Sequence, residues 1–260
     1  MNSHLDALLD HIVGHGPLFR DRQNAGATLA ARLEQYRGEG GLILGLPRGG
    51  VVVAAEVARH LDAELDIVVA RKLGSPHSAE LAIGAVTADG ARFLNEDVIR
   101  ELGLPEPYIT AVTRAQRGEA RRREALFRAS RPAPRVQGRI VVLVDDGLAT
   151  GATMQAAVQS VRAQAPARLV VAVPVGSREA CAALRAAADE FVCLSEPEHF
   201  GAVGSWYERF EQTKDAEVER LLAELAAPAL SIARSNSDRS PDQPSLKPAA
   251  QNVTGRSTHP

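Results

Sequence analysis

The side chains best placed to do chemistry are two adjacent carboxylates, Asp145 and Asp146, which directly follow an apolar, β-branched run at 140–144. Such a run is typical of a parallel strand that is buried on both faces. A turn rich in small residues follows at 147–153, and the segment 154–163 then carries apolar residues at helical spacing. This order of strand, loop and helix predicts that the carboxylates and the loop belong to one site.

The loop after the two acids has the composition of an anion-binding site. The backbone N–H groups at a helix start are unpaired, and the positive end of the helix dipole lies behind them. They therefore favour a phosphate, to which Thr150 and Thr153 would add hydroxyl donors. The carboxylates suit sugar hydroxyls or a hard cation such as Mg²⁺. A phosphorylated sugar is thus the expected ligand, with its phosphate held by Ala149, Thr150, Gly151, Ala152 and Thr153.

A second unit of strand, loop and helix start lies earlier in the chain. The apolar run 42–46 is followed by Pro47, Arg48, Gly49 and Gly50, and then by the apolar segment 51–61. Paired glycines let a backbone approach a ligand closely, and an arginine brings a fixed positive charge to the same place. This composition suits a pyrophosphate, although a glycine-rich turn before a helix has the same pattern.

Two cations follow the next apolar run. The pattern predicts a strand at 66–70 that ends in Arg71 and Lys72, before a polar stretch at 73–80. The pair could face an anionic ligand at the edge of the sheet. A solvated pair at the end of a strand is the alternative.

The segment that ends at Thr153 consists of four apolar residues, two acids, three further residues and then Thr-Gly-x-Thr. This order resembles the ribose-phosphate binding motif of type I phosphoribosyltransferases. The Walker phosphate loop does not fit, because no Lys follows Gly151. The chain departs from the commonest form of the motif, which has a third acid where this chain has Ala149. Adenine phosphoribosyltransferases resemble the chain in this respect. The resemblance covers most of the chain before Pro228, and an ordinary buried strand with a polar exit turn is the alternative.

The resemblance implies a role for each loop. Asp145 and Asp146 would be catalytic and would hold magnesium, directly or through ribose hydroxyls and water. The loop 149–153 would bind the 5-phosphate of phosphoribosyl pyrophosphate. The segment 73–80 would form a lid. In the family, the loop that corresponds to 47–50 often contains a strained non-proline peptide bond. The residues implied to face the pyrophosphate are Arg48, Gly49 and Gly50, together with the catalytic pair Arg71 and Lys72.

The implied activity is magnesium-dependent transfer of the phosphoribosyl group to a nitrogenous base, with release of pyrophosphate. Proteins of the family are usually homo-oligomers. Two rivals are a sensor of phosphoribosyl pyrophosphate that binds RNA or protein, and a hydrolase that uses water as the acceptor. The segment 114–139 contains nine arginines, but Phe127 is its only aromatic residue, and arginines on an exposed helix are usually a solvated face. Nucleic acid is therefore not expected as a partner.

Alternation of strands and helices predicts an α/β fold, with a mostly parallel twisted sheet, helices on both faces and a Rossmann-like core. Ligands of such sheets bind at the carboxyl ends of the strands, where all three loops lie. The resemblance implies a single domain at 1–228 with a small hood, which selects the base, from parts of 1–40 and 195–228. Aromatic residues at 200–210 could stack on a base or simply cover the sheet.

The composition excludes several classes of protein. The 260 residues carry a formal net charge of −2, so no global attraction to nucleic acid or anionic membrane is expected. Cys181 and Cys193 look too few and too widely spaced for a disulfide framework or a zinc site. The N-terminus lacks a basic start and a cleavage site, and no apolar run could span a bilayer, so a cytoplasmic protein without membrane contact is expected. The polar segment 229–260 is expected to be disordered.

Overall fold

The computed structural model describes residues 17–76, 81–129 and 131–225. The tail expected at 229–260, the first sixteen residues of the expected hood and positions 77–80 of the expected lid lie outside these ranges. Eight strands are found in the described part: β1 (Leu42–Gly45), β2 (Glu64–Ile67), β3 (Ala70–Gly74), β4 (Ala82–Thr87), β5 (Arg92–Leu94), β6 (Ile140–Val144), β7 (Arg168–Val175) and β8 (Glu190–Ser195).

Seven α-helices are found in the same ranges: α1 (Arg22–Ala31), α2 (Gly49–Leu61), α3 (Glu96–Glu101), α4 (Glu106–Arg128), α5 (Ala152–Arg162), α6 (Arg178–Ala187) and α7 (Asp215–Leu225). None of them combines the length and apolar composition that a membrane crossing requires.

The central sheet has five parallel strands in the order β2-β1-β6-β7-β8. Side chains alternate across it, as the pleat requires. In β6, Val142 and Val144 pack with α1, α2 and α7, whereas Val141 and Leu143 pack with α5 and α6. The predicted mostly parallel sheet with helices on both faces is confirmed.

A second, antiparallel sheet contains β3, β4 and β5. The short strands β4 and β5 form a hairpin in this sheet. The bounds of the strand predicted at 66–70 are wrong. The central strand ends at Ile67, and Arg71 and Lys72 lie inside β3, paired with β4. The linking residues Val68 and Val69 are both buried, so the apolar composition continues across the break between the sheets.

The N-terminal segment and the segment after β8 form one layer. Phe19 pairs with Tyr207, and its N–H donates to the carbonyl of Trp206 at 3.0 Å. Trp206 is buried against Ala25 and against Val175, the last residue of β7. The two segments assigned to the hood are therefore brought together at the carboxyl end of β7, and their role in selecting a base stays a prediction.

Candidate functional site

The two glycine-rich loops lie side by side because their strands are neighbours. Gly45 of β1 is in register with Val144 of β6, and the N–H of Leu46 donates to the carbonyl of Val144 at 2.9 Å. Each strand ends at this register. The loop 47–50 therefore leaves the sheet beside the loop that begins at Asp145.

The start of α2 packs directly on the acidic pair. A Cβ atom at Gly49 would lie 1.9 Å from Oδ2 of Asp146, and one at Gly50 would lie 2.7 Å from Oδ1 of Asp145. Only residues without a side chain fit here, so the glycines allow the helix start and the carboxylates to share one small volume. The peptide bond between Pro47 and Arg48 is cis, in the loop where the family resemblance implies an unusual non-proline bond.

Asp146 is held by a cation that the sequence pattern does not identify. Its Oδ2 accepts a hydrogen bond of 2.6 Å from Nε of Arg22, at the start of α1, and the two side chains are only 16% and 12% exposed. Arg22 also donates to the carbonyl of Glu211 at 2.8 Å, and its guanidinium lies 3.7 Å from the ring centre of Phe210. The hydroxyl of Tyr207 donates to the main-chain oxygen of Asp146 at 2.6 Å. Asp146 is thus fixed at both its side chain and its main chain.

Asp145 is in a different electrostatic environment. Its Oδ1 accepts the N–H of Asp146 at 2.8 Å, and within the described ranges no salt bridge reaches its carboxylate. Burial and the adjacent charge of Asp146 raise the pKa of Asp145 well above the usual 3.8. A carboxylate in this position is stabilised by a bound cation or by hydroxyl donors.

The loop after the acids is anchored so that its amide groups stay free. The N–H of Leu148 donates to Val175 at 2.9 Å, and the hydroxyl of Ser177 donates to the carbonyl of Ala149 at 2.7 Å. Gly151, the N-cap of α5, adopts a left-handed conformation with φ of 72°. The N–H groups of 149–153 donate to no other residue in the part of the chain that the structure describes. Unpaired N–H groups at a helix start are an arrangement that favours an anion.

Arg71 and Lys72 of β3 line a cavity of about 560 Å³ together with Thr153. Thr153 belongs to the loop 149–153, which we call the anion loop. Nε of Arg71 donates to the side chain of Gln116 at 3.2 Å, and burial, followed by the charge of Arg123, lowers the pKa of Arg71. Lys72 is exposed. The antiparallel sheet, and not the end of a central strand, places this pair opposite the anion loop.

Arg48 directs its guanidinium toward α7. Its Nη1 lies 3.4 Å from Oδ1 of Asp215, and the two side chains are 28% and 48% exposed. A partly exposed pair of this length is a weak interaction. Arg48 is therefore available to an anionic ligand that offers a stronger contact.

The aromatic residues of 200–210 differ in exposure. Trp206 and Tyr207 are buried, and the indole N–H of Trp206 donates to the carbonyl of Phe200 at 2.9 Å. Both rings cover the sheet and cannot stack on a base without a rearrangement. Phe210 is partly exposed, and its ring lies against the guanidinium of Arg22, which in turn contacts the acidic pair.

Part of the arginine-rich segment contacts the rest of the chain. Arg128 pairs with the buried Asp66 at 2.9 Å, and Arg139 donates to the carbonyl of Gly41 at 2.9 Å. Seven of the nine arginines make side-chain hydrogen bonds within the described ranges: Arg117, Arg121, Arg122, Arg123, Arg128, Arg131 and Arg139. Five of these seven arginines bond to residues outside the segment, and Arg122 and Arg123 bond to Glu119 of the same helix.

A parallel sheet that ends in an acidic pair, an anion loop and a Gly-Gly helix start defines the class of protein. The phosphoribosyl transferase domain family matches residues 20–209, and the chain belongs to this family. The resemblance identified from the sequence is confirmed.

Known relatives agree with this assignment. The chain is 50% identical over 205 residues to proteins of Mycobacterium tuberculosis strains CDC 1551 and H37Rv that are provisionally named phosphoribosyl transferases. The match covers 79% of this chain and 46% of each relative, so the chain spans about half the length of the curated relatives it matches. The crystal structure of TT1426 from Thermus thermophilus is 47% identical, with a TM-score of 0.69 over 80% of this chain and 99% of that one.

Proposed function

We propose that the chain catalyses the magnesium-dependent transfer of a phosphoribosyl group from phosphoribosyl pyrophosphate to a nitrogenous base. A base nitrogen forms a bond to the anomeric carbon, and the bond from that carbon to the pyrophosphate oxygen breaks, with its electron pair leaving on pyrophosphate. The observation that carries the proposal is the contact of the Gly49-Gly50 helix start with Asp145 and Asp146. This contact places the loop that is proposed to bind pyrophosphate against the acidic pair that is proposed to bind the ribose.

The acidic pair acts on the ribose. Asp145 and Asp146 accept hydrogen bonds from the ribose hydroxyls, and their charge stabilises the positive charge that develops on the ring in the transition state. Arg22 and Tyr207 are positioning residues. They hold Asp146 in one orientation, so that the sugar meets a fixed acceptor.

The anion loop fixes the other end of the sugar. The free N–H groups of 149–153 and the hydroxyls of Thr150 and Thr153 bind the 5-phosphate. A sugar that is held at its phosphate and at its hydroxyls has lost most of its rotational freedom before the reaction, which lowers the entropic part of the barrier.

The leaving pyrophosphate is bound by cations and by a helix start. Arg71 and Lys72 reach it from β3, and the N-terminus of α2 contributes the amides of Gly49 and Gly50. Arg48 exchanges its weak contact with Asp215 for the ligand. These charges neutralise the negative charge that pyrophosphate gains as the bond breaks.

The donor atoms at the acidic pair fit a single magnesium ion. Magnesium prefers carboxylate oxygens, often only one or two, and keeps several water ligands. Asp145 has no salt bridge within the described residues, whereas Asp146 is already paired with Arg22. Asp145 would therefore hold the ion, with Asp146 acting directly or through ribose hydroxyls and water. When bound, magnesium neutralises charge on the pyrophosphate oxygens.

The base is proposed to bind under the layer formed by the N-terminal segment and 195–213. Phe210 is the partly exposed ring beside Arg22, and it is the candidate for stacking on a base. A cytoplasmic location and a homo-oligomeric state, as in the resembling family, complete the proposal.

A screen for pyrophosphate release tests the activity. The purified chain is incubated with phosphoribosyl pyrophosphate and Mg²⁺, with or without a panel of purines, pyrimidines and pyridine carboxylates. Release that depends on one acceptor, with a nucleotide as the product, supports base transfer. Release without any acceptor, with ribose 5-phosphate as the product, would instead identify a hydrolase.

A further inference from the structure

The two cysteines of the chain lie next to each other in space. Cys181 is on α6 and Cys193 is on β8, and their Sγ atoms are 3.9 Å apart. Their separation in the sequence, which led us to expect no zinc site, is not a separation in space, because α6 leads directly into β8 and packs against it. Cys181 is buried and Cys193 is partly exposed.

A carboxylate completes the group. Glu196 follows β8, and one ligand atom from each of the three residues lies within 4.8 Å of the others. The guanidinium of Arg185, also on α6, donates to the Glu196 carboxylate. Such a supporting contact fixes the direction of a carboxylate ligand, as is usual around metal sites.

The separation of the sulfur atoms distinguishes two kinds of dithiol site. A disulfide requires about 2.05 Å between the sulfurs. Two thiolates that share a tetrahedral zinc ion, each about 2.3 Å from the metal, lie about 3.8 Å apart. The Cys181 thiol donates a hydrogen bond to the Cys193 sulfur at 3.9 Å, so no disulfide joins them, and a shared zinc ion would replace this proton with almost no change in the separation.

We propose that Cys181, Cys193 and Glu196 bind one soft divalent cation, Zn²⁺, with water as a fourth ligand. Thiolate ligands select zinc over the hard cations that carboxylates alone prefer. The site is distinct from the acidic pair, and the proposal does not depend on the proposed transfer activity.

The zinc site would also stabilise the anion loop. Ser177, the N-cap of α6, donates its hydroxyl to the carbonyl of Ala149, and Cys181 lies one helical turn further along α6. A Cβ atom at Gly151 would lie 3.2 Å from Cβ of Ala180. A metal ion that ties α6 to β8 would therefore hold this end of the helix against the anion loop.

Metal titration of the purified full chain tests the site. After dialysis against a chelator, Co²⁺ is expected to bind with one equivalent and to produce a thiolate-to-cobalt charge-transfer absorption, which Zn²⁺ then displaces. Cys193→Ala, at the partly exposed position, should abolish this absorption while circular dichroism shows a folded protein. Glu196→Gln should keep the absorption but weaken binding by about 10-fold or more. The matched control Glu198→Gln, at an exposed neighbour, should behave like the wild type.

Two results would overturn the zinc site. One is an absence of charge-transfer absorption at saturating Co²⁺ in the reduced wild-type chain. The other is an absorption of wild-type strength in Cys193→Ala and in the double variant Cys181→Ser/Cys193→Ser, since the thiols would then not be the ligands.

Discussion

Nε of Arg22 lies 2.6 Å from Oδ2 of Asp146, and both side chains are largely buried. The second acid of the ribose-type motif is therefore part of an ion pair with the first helix of the described chain. The ideal Cβ position of Gly49 lies within 2.6 Å of both partners. The ion pair, the acidic pair and the glycine loop thus form one packed unit, in which a change to any member disturbs the others.

Loss of the Arg22 guanidinium should weaken substrate binding. In Arg22→Gln, the Asp146 carboxylate loses the partner that fixes its direction. We expect the affinity for phosphoribosyl pyrophosphate in the presence of Mg²⁺ to fall by about 10- to 100-fold, as for other contacts that support a ligand-binding carboxylate. Calorimetry measures this affinity. Arg20→Gln removes a 61% exposed arginine nearby and is the matched control. Equal affinities of the two variants would show that Arg22 has no positioning role.

A methyl group at Gly49 should separate the two loops. In Gly49→Ala, the new Cβ would lie 1.9 Å from Oδ2 of Asp146, so the carboxylate or the helix start must move. We expect a loss of about 1–3 kcal/mol in the free energy of unfolding and a loss of substrate binding. In the control Gly118→Ala, within α4, nothing lies within 4 Å of the new methyl group, and a gain of about 0.5–1 kcal/mol is expected. Denaturant unfolding and calorimetry check both variants, and wild-type binding by Gly49→Ala would contradict the packing argument.

Asp21 should make the stability of α1 dependent on pH. Its carboxylate caps the helix by accepting the N–H of Asn24 at 2.9 Å, and this bond, with contributions from Arg20 and Arg209, lowers the pKa of Asp21 below 3.8. The charged form is therefore favoured in the folded state. Its stabilisation is complete above the unfolded value of 3.8 and is lost as the pH falls through the lower folded value.

The change Asp21→Ala should cost about 1 kcal/mol near neutral pH, and the difference from the wild type should shrink as the pH falls below 3.8. Urea unfolding across this pH range measures the difference. Asp21→Asn keeps a capping oxygen without the titration, and its difference from Asp21→Ala should not vary with pH. A wild-type advantage over Asp21→Ala that is constant down to acid unfolding would contradict the role of the charge.

Arg128 should be structural, unlike its exposed neighbour Arg122. Its Nε lies 2.9 Å from Oδ1 of Asp66, whose side chain is only 6% exposed, and it also donates to the carbonyl of Ile67. Arg128→Ala leaves a buried carboxylate unpaired and should lower the free energy of unfolding by about 3–5 kcal/mol. Arg122 is 65% exposed, and Arg122→Ala should leave stability almost unchanged. Similar unfolding curves for the two variants would refute the assignment of the arginine-rich helix to a structural role.

The sequence predicted those parts of the site that lie in one continuous stretch. The strand before Asp145, the two acids and the loop 149–153 are consecutive, and each has a local signature. Arg22 has no such signature, because its partner is 124 residues away and only the packing of α1 beside the sheet brings them together. The proximity of the two cysteines could not be predicted for the same reason, because it depends on the packing of α6 against the following strand, β8.

The antiparallel sheet could not be read from composition. The strand before it, β2, contains Asp66, which is buried and forms an ion pair with Arg128. Val68 and Val69 link the two sheets along the chain and are both buried, so hydrophobicity does not mark the break at Ile67. The chemistry of Arg71 was expected from the residue types, but its location inside β3 depends on long-range strand pairing.

The most direct test of the proposed site is calorimetric titration of the double variant Asp145→Asn/Asp146→Asn with phosphoribosyl pyrophosphate at fixed Mg²⁺. The acidic pair is proposed to hold the ribose and the ion, so magnesium-dependent binding should be abolished while circular dichroism stays that of the wild type. The control Asp97→Asn, at an 88% exposed carboxylate on α3, should bind like the wild type. Unchanged affinity in the double variant would contradict the assignment of the site to Asp145 and Asp146.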